Sequence, residues 1–134
     1  MIRFLLVVAL LVGQAAYYGE SWDWDRIAEN HGLEVPAGLI PVATPDCYWL
    51  GHRADLRIGD GQAIPAYVAD CSWAEHYDGP EDTIVANSVV VEVPYWLAME
   101  TFEGKGFAPA SLVIYAEVEC VGRMEAMSRV PCPK

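Results

Sequence analysis

Apolar and polar residues alternate over three stretches of the chain, at 39–44, 53–58 and 110–121. Alternation with a period of two is typical of a strand that buries one face, because successive side chains point to opposite sides of a sheet. The segment Gly-Asp-Gly at 59–61 is a tight-turn signal. It therefore predicts a hairpin that joins 53–58 to a second strand at 63–70.

The remaining segments predict two more strands and a helix. Residues 83–93 are rich in valine, whose branched Cβ favours a strand. Pro94 suits the first turn of a helix over 95–103, and residues 16–22 predict a short aromatic strand. The stretch 23–33 is either a helical turn or a loop. Five or six strands with one short helix predict an all-β fold, and strands this short favour a small closed barrel over a sandwich.

The N-terminus has the pattern of a secretory signal peptide. Arg3 precedes an unbroken apolar run at 4–12, and small residues follow at 13–16. The run is too short to span a bilayer, which needs about 20 apolar residues. We predict a signal peptide at 1–15, cleaved after Ala15, although Ala16 also fits. The alternative is a buried N-terminal strand or helix.

Removal of the signal would leave one barrel domain at 16–121 and a C-terminal tail at 122–134. We expect a secreted or extracytoplasmic protein, monomeric and with no membrane contact after cleavage.

The mature part carries 7 basic and 19 acidic side chains, a formal charge near −12. That surface repels nucleic acid, so we expect no nucleic-acid partner. Nothing in the sequence predicts a cofactor.

All four cysteines lie in the predicted mature part, and an even number in a small exported domain indicates two disulfides. Three pairings are possible. We favour Cys47–Cys71 with Cys120–Cys132, and we expect the second bridge to hold the C-terminal tail.

A short repeat surrounds the first two cysteines. The residues at 46–52 (DCYWLGH) recur 24 positions later at 70–76 (DCSWAEH), with acid, thiol, indole and imidazole in the same order. Two thiolates and two imidazoles can bind zinc. Export argues against this alternative, because oxidising compartments convert paired thiols to disulfides, and we predict no metal. The four residues concerned are Cys47, His52, Cys71 and His76.

The repeat also places two carboxylates, Asp46 and Asp70, at equivalent positions. Glycosidic cleavage needs a proton donor at the bridging oxygen and usually a second group, so this pair is a candidate catalytic site. The alternative is that Asp70 orients loop backbone by hydrogen bonds. Candidates for sugar-binding aromatic residues are Tyr18, Tyr48, Trp49 and Trp73, whereas Trp96 on the predicted helix is expected to fill the core.

The order of these features resembles that of rare lipoprotein A-like domains, which share the double-psi β-barrel with expansins and family-45 endoglucanases. The resemblance covers roughly residues 16–115, and its weight comes from the order and spacing of several landmarks. These are Tyr17-Tyr18-Gly19-Glu20-Ser21, Val42-Ala43-Thr44, Leu50-Gly51, Val68-Ala69-Asp70 and Glu92-Val93-Pro94.

The resemblance implies a six-stranded double-psi β-barrel with a glycan-binding groove. It also implies the activity of a peptidoglycan lytic transglycosylase, with Asp70 as the general acid/base. The second functional residue of that family, a histidine, falls on Pro45 in this sequence. The other hypotheses are a non-catalytic, expansin-like barrel that binds cell-wall glycan or another polysaccharide, and a small exported inhibitor or structural protein.

Overall fold

The structure, a computed structural model, describes residues 2–71, 88–121 and 130–131, with side chains at 3–71 and 88–117. The described residues form seven strands, two α-helices and one 3-10 helix. The strands are β1 Ile2–Tyr17, β2 Ile40–Ala43, β3 Arg53–Ile58, β4 Ile64–Asp70, β5 Val89–Val93, β6 Ala108–Val121 and β7 Val130–Pro131. The helices are α1 Trp24–Asn30 and α2 Tyr95–Thr101, and the 3-10 helix is Cys47–Trp49.

Six of these strands form a closed barrel. They are hydrogen-bonded in the order β1-β5-β2-β4-β3-β6, and β6 pairs again with β1. The pairs β1–β5 and β2–β4 are parallel, whereas β3 is antiparallel to both β4 and β6. β7 lies outside the ring, parallel to β6. The predicted all-β fold class and the predicted hairpin at 53–70 are both confirmed.

The core follows the alternation that the sequence shows. In β3 the residues at 54, 56 and 58 are buried and their neighbours are not, and in β6 Leu112 and Ile114 are fully buried. Phe102, just after α2, is the largest fully buried side chain and belongs to the main core. Burial of these apolar side chains is the main force that stabilises the fold.

α2 begins where the proline predicts, with Pro94 in the N-cap position. Leu97 and Ala98 are its buried residues, whereas Trp96 is 52% exposed. The expectation that Trp96 fills the core is therefore wrong. The helix presents its 97–98 face to the barrel, and the indole lies on the opposite side, in solvent.

α1 occupies part of the stretch that the sequence leaves open between helix and loop. The Asp23 carboxylate caps its start by accepting hydrogen bonds from the backbone N–H groups of Asp25 and Arg26. Ala28 is fully buried against Tyr67 and Ala69 of β4. This contact fixes the C-terminal end of α1 beside β4.

The segment assigned to the signal peptide lies in β1. Residues 2–15 pair with β6, and several of their apolar side chains, including Leu10 and Val12, are exposed. Cleavage after Ala15 and the domain boundaries stay predictions. The closed barrel is that of the uncleaved chain, because residues 2–15 make all of the pairing between β1 and β6. No helix in the described ranges is long and apolar enough to cross a membrane.

Truncation of a core side chain should show how much the barrel depends on its interior. Leu56→Ala removes a fully buried side chain from the centre of β3 and should lower the free energy of unfolding by about 3 kcal/mol, measured by urea titration. Arg57→Ala, at the exposed neighbouring position, is the matched control and should change stability by less than about 0.5 kcal/mol. Equal effects of the two variants would contradict this description of the core.

A hydrogen bond across β3 and β6 gives a testable pH dependence. The Tyr115 hydroxyl donates to Asp55 Oδ2 at 2.7 Å. This bond, together with burial and the charge of Asp55, raises the pKa of Tyr115 above its ordinary value of 10.0. The folded state therefore holds the phenol proton more tightly than the unfolded chain does. The stability that Tyr115 contributes is present below pH 10.0 and is lost as the pH rises through the raised pKa.

We expect Asp55→Asn to lower the pKa of Tyr115, because it removes both the charge and the carboxylate acceptor. The measurement is a phenolate absorbance titration of the folded protein, with Tyr115→Phe to assign the signal. A Tyr115 titration that Asp55→Asn leaves unchanged would contradict the assigned cause.

Candidate functional site

The carboxylate of Asp70 is the centre of the candidate site. Asp70 is the last residue of β4, and its side chain is 19% exposed. The Tyr18 hydroxyl donates to Oδ2 at 2.6 Å, and His31 Nε2 is 2.8 Å from Oδ1. With Asp70 ionised, both neighbours act as donors, since a carboxylate only accepts. The three side chains form a cluster that we call the Asp70 cluster.

Three separate elements bring this cluster together. Tyr18 directly follows β1, and its backbone N–H donates to the Val93 carbonyl at the end of β5 at 3.0 Å. His31 is the C-cap residue of α1, and Gly32 follows it with a φ of +72°, which turns the chain away from the helix. Asp70 ends the strand against which α1 packs. The site therefore depends on the barrel closure and on α1 docking.

Aromatic rings surround Tyr18. The ring of Trp24, the first residue of α1, stacks on that of Tyr18, with centroids 4.5 Å apart and planes at 20°. Trp24 is partly buried and packs against Ala28 and Ala43 and their buried neighbours. Trp22 lies on the outer side, with its centroid 5.9 Å from that of Tyr18, and it is 60% exposed. An exposed indole beside the tyrosine that hydrogen-bonds Asp70 is suited to contact the apolar face of a sugar ring, although the sequence did not single out Trp22.

A disulfide ties the loop after β2 to the end of β4. Cys47 and Cys71 are bridged, as the sequence predicted. The Thr44 backbone N–H donates to the Asp70 carbonyl at 3.1 Å, which adds a second connection at the same place. Because both sulfurs are used, they are not thiolate ligands for zinc. Among the described side chains, no group of three or more His, Cys, Asp or Glu could hold a metal ion.

Asp46 has a different environment from Asp70. Its carboxylate accepts a hydrogen bond from the Tyr48 backbone N–H at 2.8 Å and caps the 3-10 helix. The Thr44 hydroxyl donates to the Asp46 carbonyl at 2.9 Å. These contacts are those of a capping residue. The catalytic role assigned to Asp46 from the repeat stays a prediction.

The predicted sugar-binding aromatic residues are not all equivalent. Tyr48 is 74% exposed and meets the ring of Trp49 edge-on, while Trp49 is half-buried and packs against the core. Trp49 also contacts His52, whose Nδ1 donates to the Trp49 carbonyl at 3.1 Å. Outside the described side chains lie Trp73, His76, Cys120 and Cys132, so the second disulfide stays a prediction.

His31 is the functional candidate that the sequence did not reveal. It lies 39 positions before Asp70, and no motif links the two residues. The local sequence signals only a helix end, because glycine follows the histidine. The landmark spacing instead placed the expected histidine at Pro45. Only the packing of α1 on β4 brings an imidazole to the carboxylate.

A buried carboxylate lies on the same row of the sheet. In the strand register Ala43 of β2 pairs with Asp70 on one side and with Glu92 of β5 on the other. Glu92 is 7% exposed. Neighbouring strands are about 4.8 Å apart, so the two acidic residues have backbones about 10 Å apart across one strand. Glu92 is therefore a buried acidic residue one strand away from the strand that carries Asp70.

In comparisons with known proteins, no family model matches the chain and no curated protein is significantly similar to it. The fold and the site define the chain as a six-stranded β-barrel with a carboxylate, an imidazole and a phenol in contact at the end of one strand. A function must therefore be inferred from this geometry.

The disulfide next to the site should stabilise the fold, because it restricts the conformations of the unfolded chain. Its half-cystines are 24 positions apart, so the double variant Cys47→Ser/Cys71→Ser should lose about 3 kcal/mol of unfolding free energy. Denaturant titration of the oxidised wild type, the reduced wild type and the variant measures the loss. The reduced wild type should be no more stable than the variant, because reduction also breaks the predicted Cys120–Cys132 bridge. An unchanged stability in both would contradict the Cys47–Cys71 bridge.

Proposed function

We propose that this chain is an exported, glycan-active domain in which Asp70 is the general acid/base of glycosidic cleavage. One observation carries the proposal: the Asp70 carboxylate lies at the end of a barrel strand, is partly exposed, and is held by hydrogen bonds to both of its oxygens. A carboxylate that exchanges protons with a substrate needs such positioning. The resemblance to rare lipoprotein A-like double-psi barrels points to the same residue.

The reaction class is lytic transglycosylation of a peptidoglycan strand. Protonated Asp70 gives its proton to the bridging oxygen, and the bond between that oxygen and the sugar C1 breaks. The resulting carboxylate then takes the proton of the C6 hydroxyl, whose oxygen forms the new bond to C1. The proton count balances and no water is consumed. The product is a 1,6-anhydro sugar end.

The surroundings of Asp70 suit a sugar chain. Trp22 offers an exposed flat ring, and Tyr18 connects that ring to the catalytic carboxylate. The exposed Tyr48 lies in the loop that the Cys47–Cys71 bridge ties to the same strand end. The disulfide is compatible with an oxidising compartment, which supports export.

A second candidate function is a barrel that binds cell-wall glycan without cleaving it. A specific observation favours it: both oxygens of Asp70 already have protein partners, as in a carboxylate that only orders its surroundings. Pro45 in place of the expected histidine points in the same direction. In this version the aromatic residues bind the strand, and the Asp70 cluster holds α1 and the loop after β1 against the barrel.

Asp70→Asn separates the two candidates. Incubation of the purified protein with peptidoglycan strands lacking stem peptides should yield anhydro-muramyl products, detected by mass spectrometry. The variant should form them at least about 100-fold more slowly, because the amide cannot exchange the proton. Asp60→Asn, in the exposed turn between β3 and β4, is the matched control and should retain the wild-type rate.

Product formed at an unchanged rate by Asp70→Asn would remove Asp70 from the reaction. Co-sedimentation of the wild type with the strands in the absence of product would instead support the binding function.

A further inference from the structure

We propose that His31 is the proton partner of Asp70, so that the imidazole at the end of α1 and the carboxylate at the end of β4 work as one acid/base unit. The inference rests on the proposed function and names the residue that completes it. His31 acts through Asp70, so it is a positioning residue and Asp70 remains the catalytic one.

The geometry is that of a direct hydrogen bond between the imidazole and the carboxylate. His31 Nε2 and Asp70 Oδ1 are 2.8 Å apart, the distance of a charge-assisted hydrogen bond. The pair can exist as imidazolium with carboxylate or as imidazole with carboxylic acid, and the two forms differ only in which atom carries the proton. The His31 side chain is 30% exposed, so its ring can exchange protons with solvent.

A carboxylate alone meets conflicting demands in the proposed reaction. Asp70 must be protonated to cleave the glycosidic bond and ionised to accept the C6 proton. The Tyr18 hydroxyl donates to Oδ2, and a phenol does not readily take up a proton at neutral pH. The imidazole serves both stages, since its ring nitrogen can donate or accept.

The proton can be followed through one cycle. It moves from His31 Nε2 to Asp70, then to the bridging oxygen as the bond between C1 and that oxygen breaks. Asp70 next takes the proton of the C6 hydroxyl while its oxygen bonds to C1, and that proton returns to His31. No atom is gained or lost by the protein.

His52 provides a matched control within the same chain. It is also a loop histidine, but its Nδ1 donates to the Trp49 carbonyl at 3.1 Å, so its ring is engaged with the backbone. A substitution there removes one imidazole without changing the Asp70 cluster.

The experiment compares His31→Gln and His52→Gln by steady-state kinetics on denuded peptidoglycan strands. Glutamine can keep a hydrogen bond to Asp70 through its amide but cannot exchange the proton. We expect His31→Gln to lower kcat about 100-fold with KM changed less than about 3-fold. His52→Gln should change kcat and KM less than about 3-fold, because His52 takes no part in the proposed proton transfer.

A second variant, His31→Arg, keeps a cationic donor that does not release its proton. The kcat of this variant should fall as well. If His31 supplied only a charge or a hydrogen bond, arginine would restore the wild-type kcat. Wild-type kcat in either His31 variant would overturn the inference while leaving the proposed function intact. A wild-type protein that forms no anhydro product would instead overturn the proposed function, and this inference with it.

Discussion

The closure of the sheet between β1 and β6 is the constraint on which the rest of the structure depends. Strand edges expose unpaired N–H and C=O groups, and a closed ring satisfies them within the chain. Closure also encloses a core of small and branched side chains, with Leu56, Leu112 and Ile114 fully buried. The described segments that follow β1, β2 and β4 are then carried by strands that cannot move apart.

Closure brings the candidate site together from segments that are distant in sequence. Tyr18 and Asp70 are 52 positions apart, yet one follows the strand that pairs with β5 and the other ends the strand that pairs with β2. α1 then adds His31 by burying Ala28 on β4. The disulfide and the Thr44 hydrogen bond hold the opposite loop against the same strand end. The carboxylate is thus supported from both sides by contacts that the barrel positions.

The hydrogen-bond donors around Asp70 are notable because the chain is strongly acidic. With a formal net charge of −11, the chain has many more acidic than basic side chains. A partly buried carboxylate needs hydrogen-bond donors. Tyr18 and His31 supply those donors to Asp70, and in our proposal the imidazole also exchanges the proton with it.

Much of the local structure follows from the sequence alone, because its causes are local. Alternation predicted β2, β3 and β6, the Gly-Asp-Gly turn predicted the hairpin of β3 with β4, Pro94 predicted the start of α2, and the repeat pointed to the bridge between Cys47 and Cys71. Each signal depends on residues within a few positions or on one repeated segment. The aspartate at the end of β4 was also found in this way.

Only the tertiary structure decided which side chains meet. The contact of His31 with Asp70, the stacking of Trp24 on Tyr18 and the exposure of Trp96 all depend on how helices dock on the closed sheet. Hydrophobic periodicity predicts which face of an element is buried, but it does not predict which other element packs on that face. For that reason the spacing of the landmarks assigned the expected histidine to Pro45. In the folded protein the imidazole that contacts the carboxylate is instead that of His31, at the end of α1.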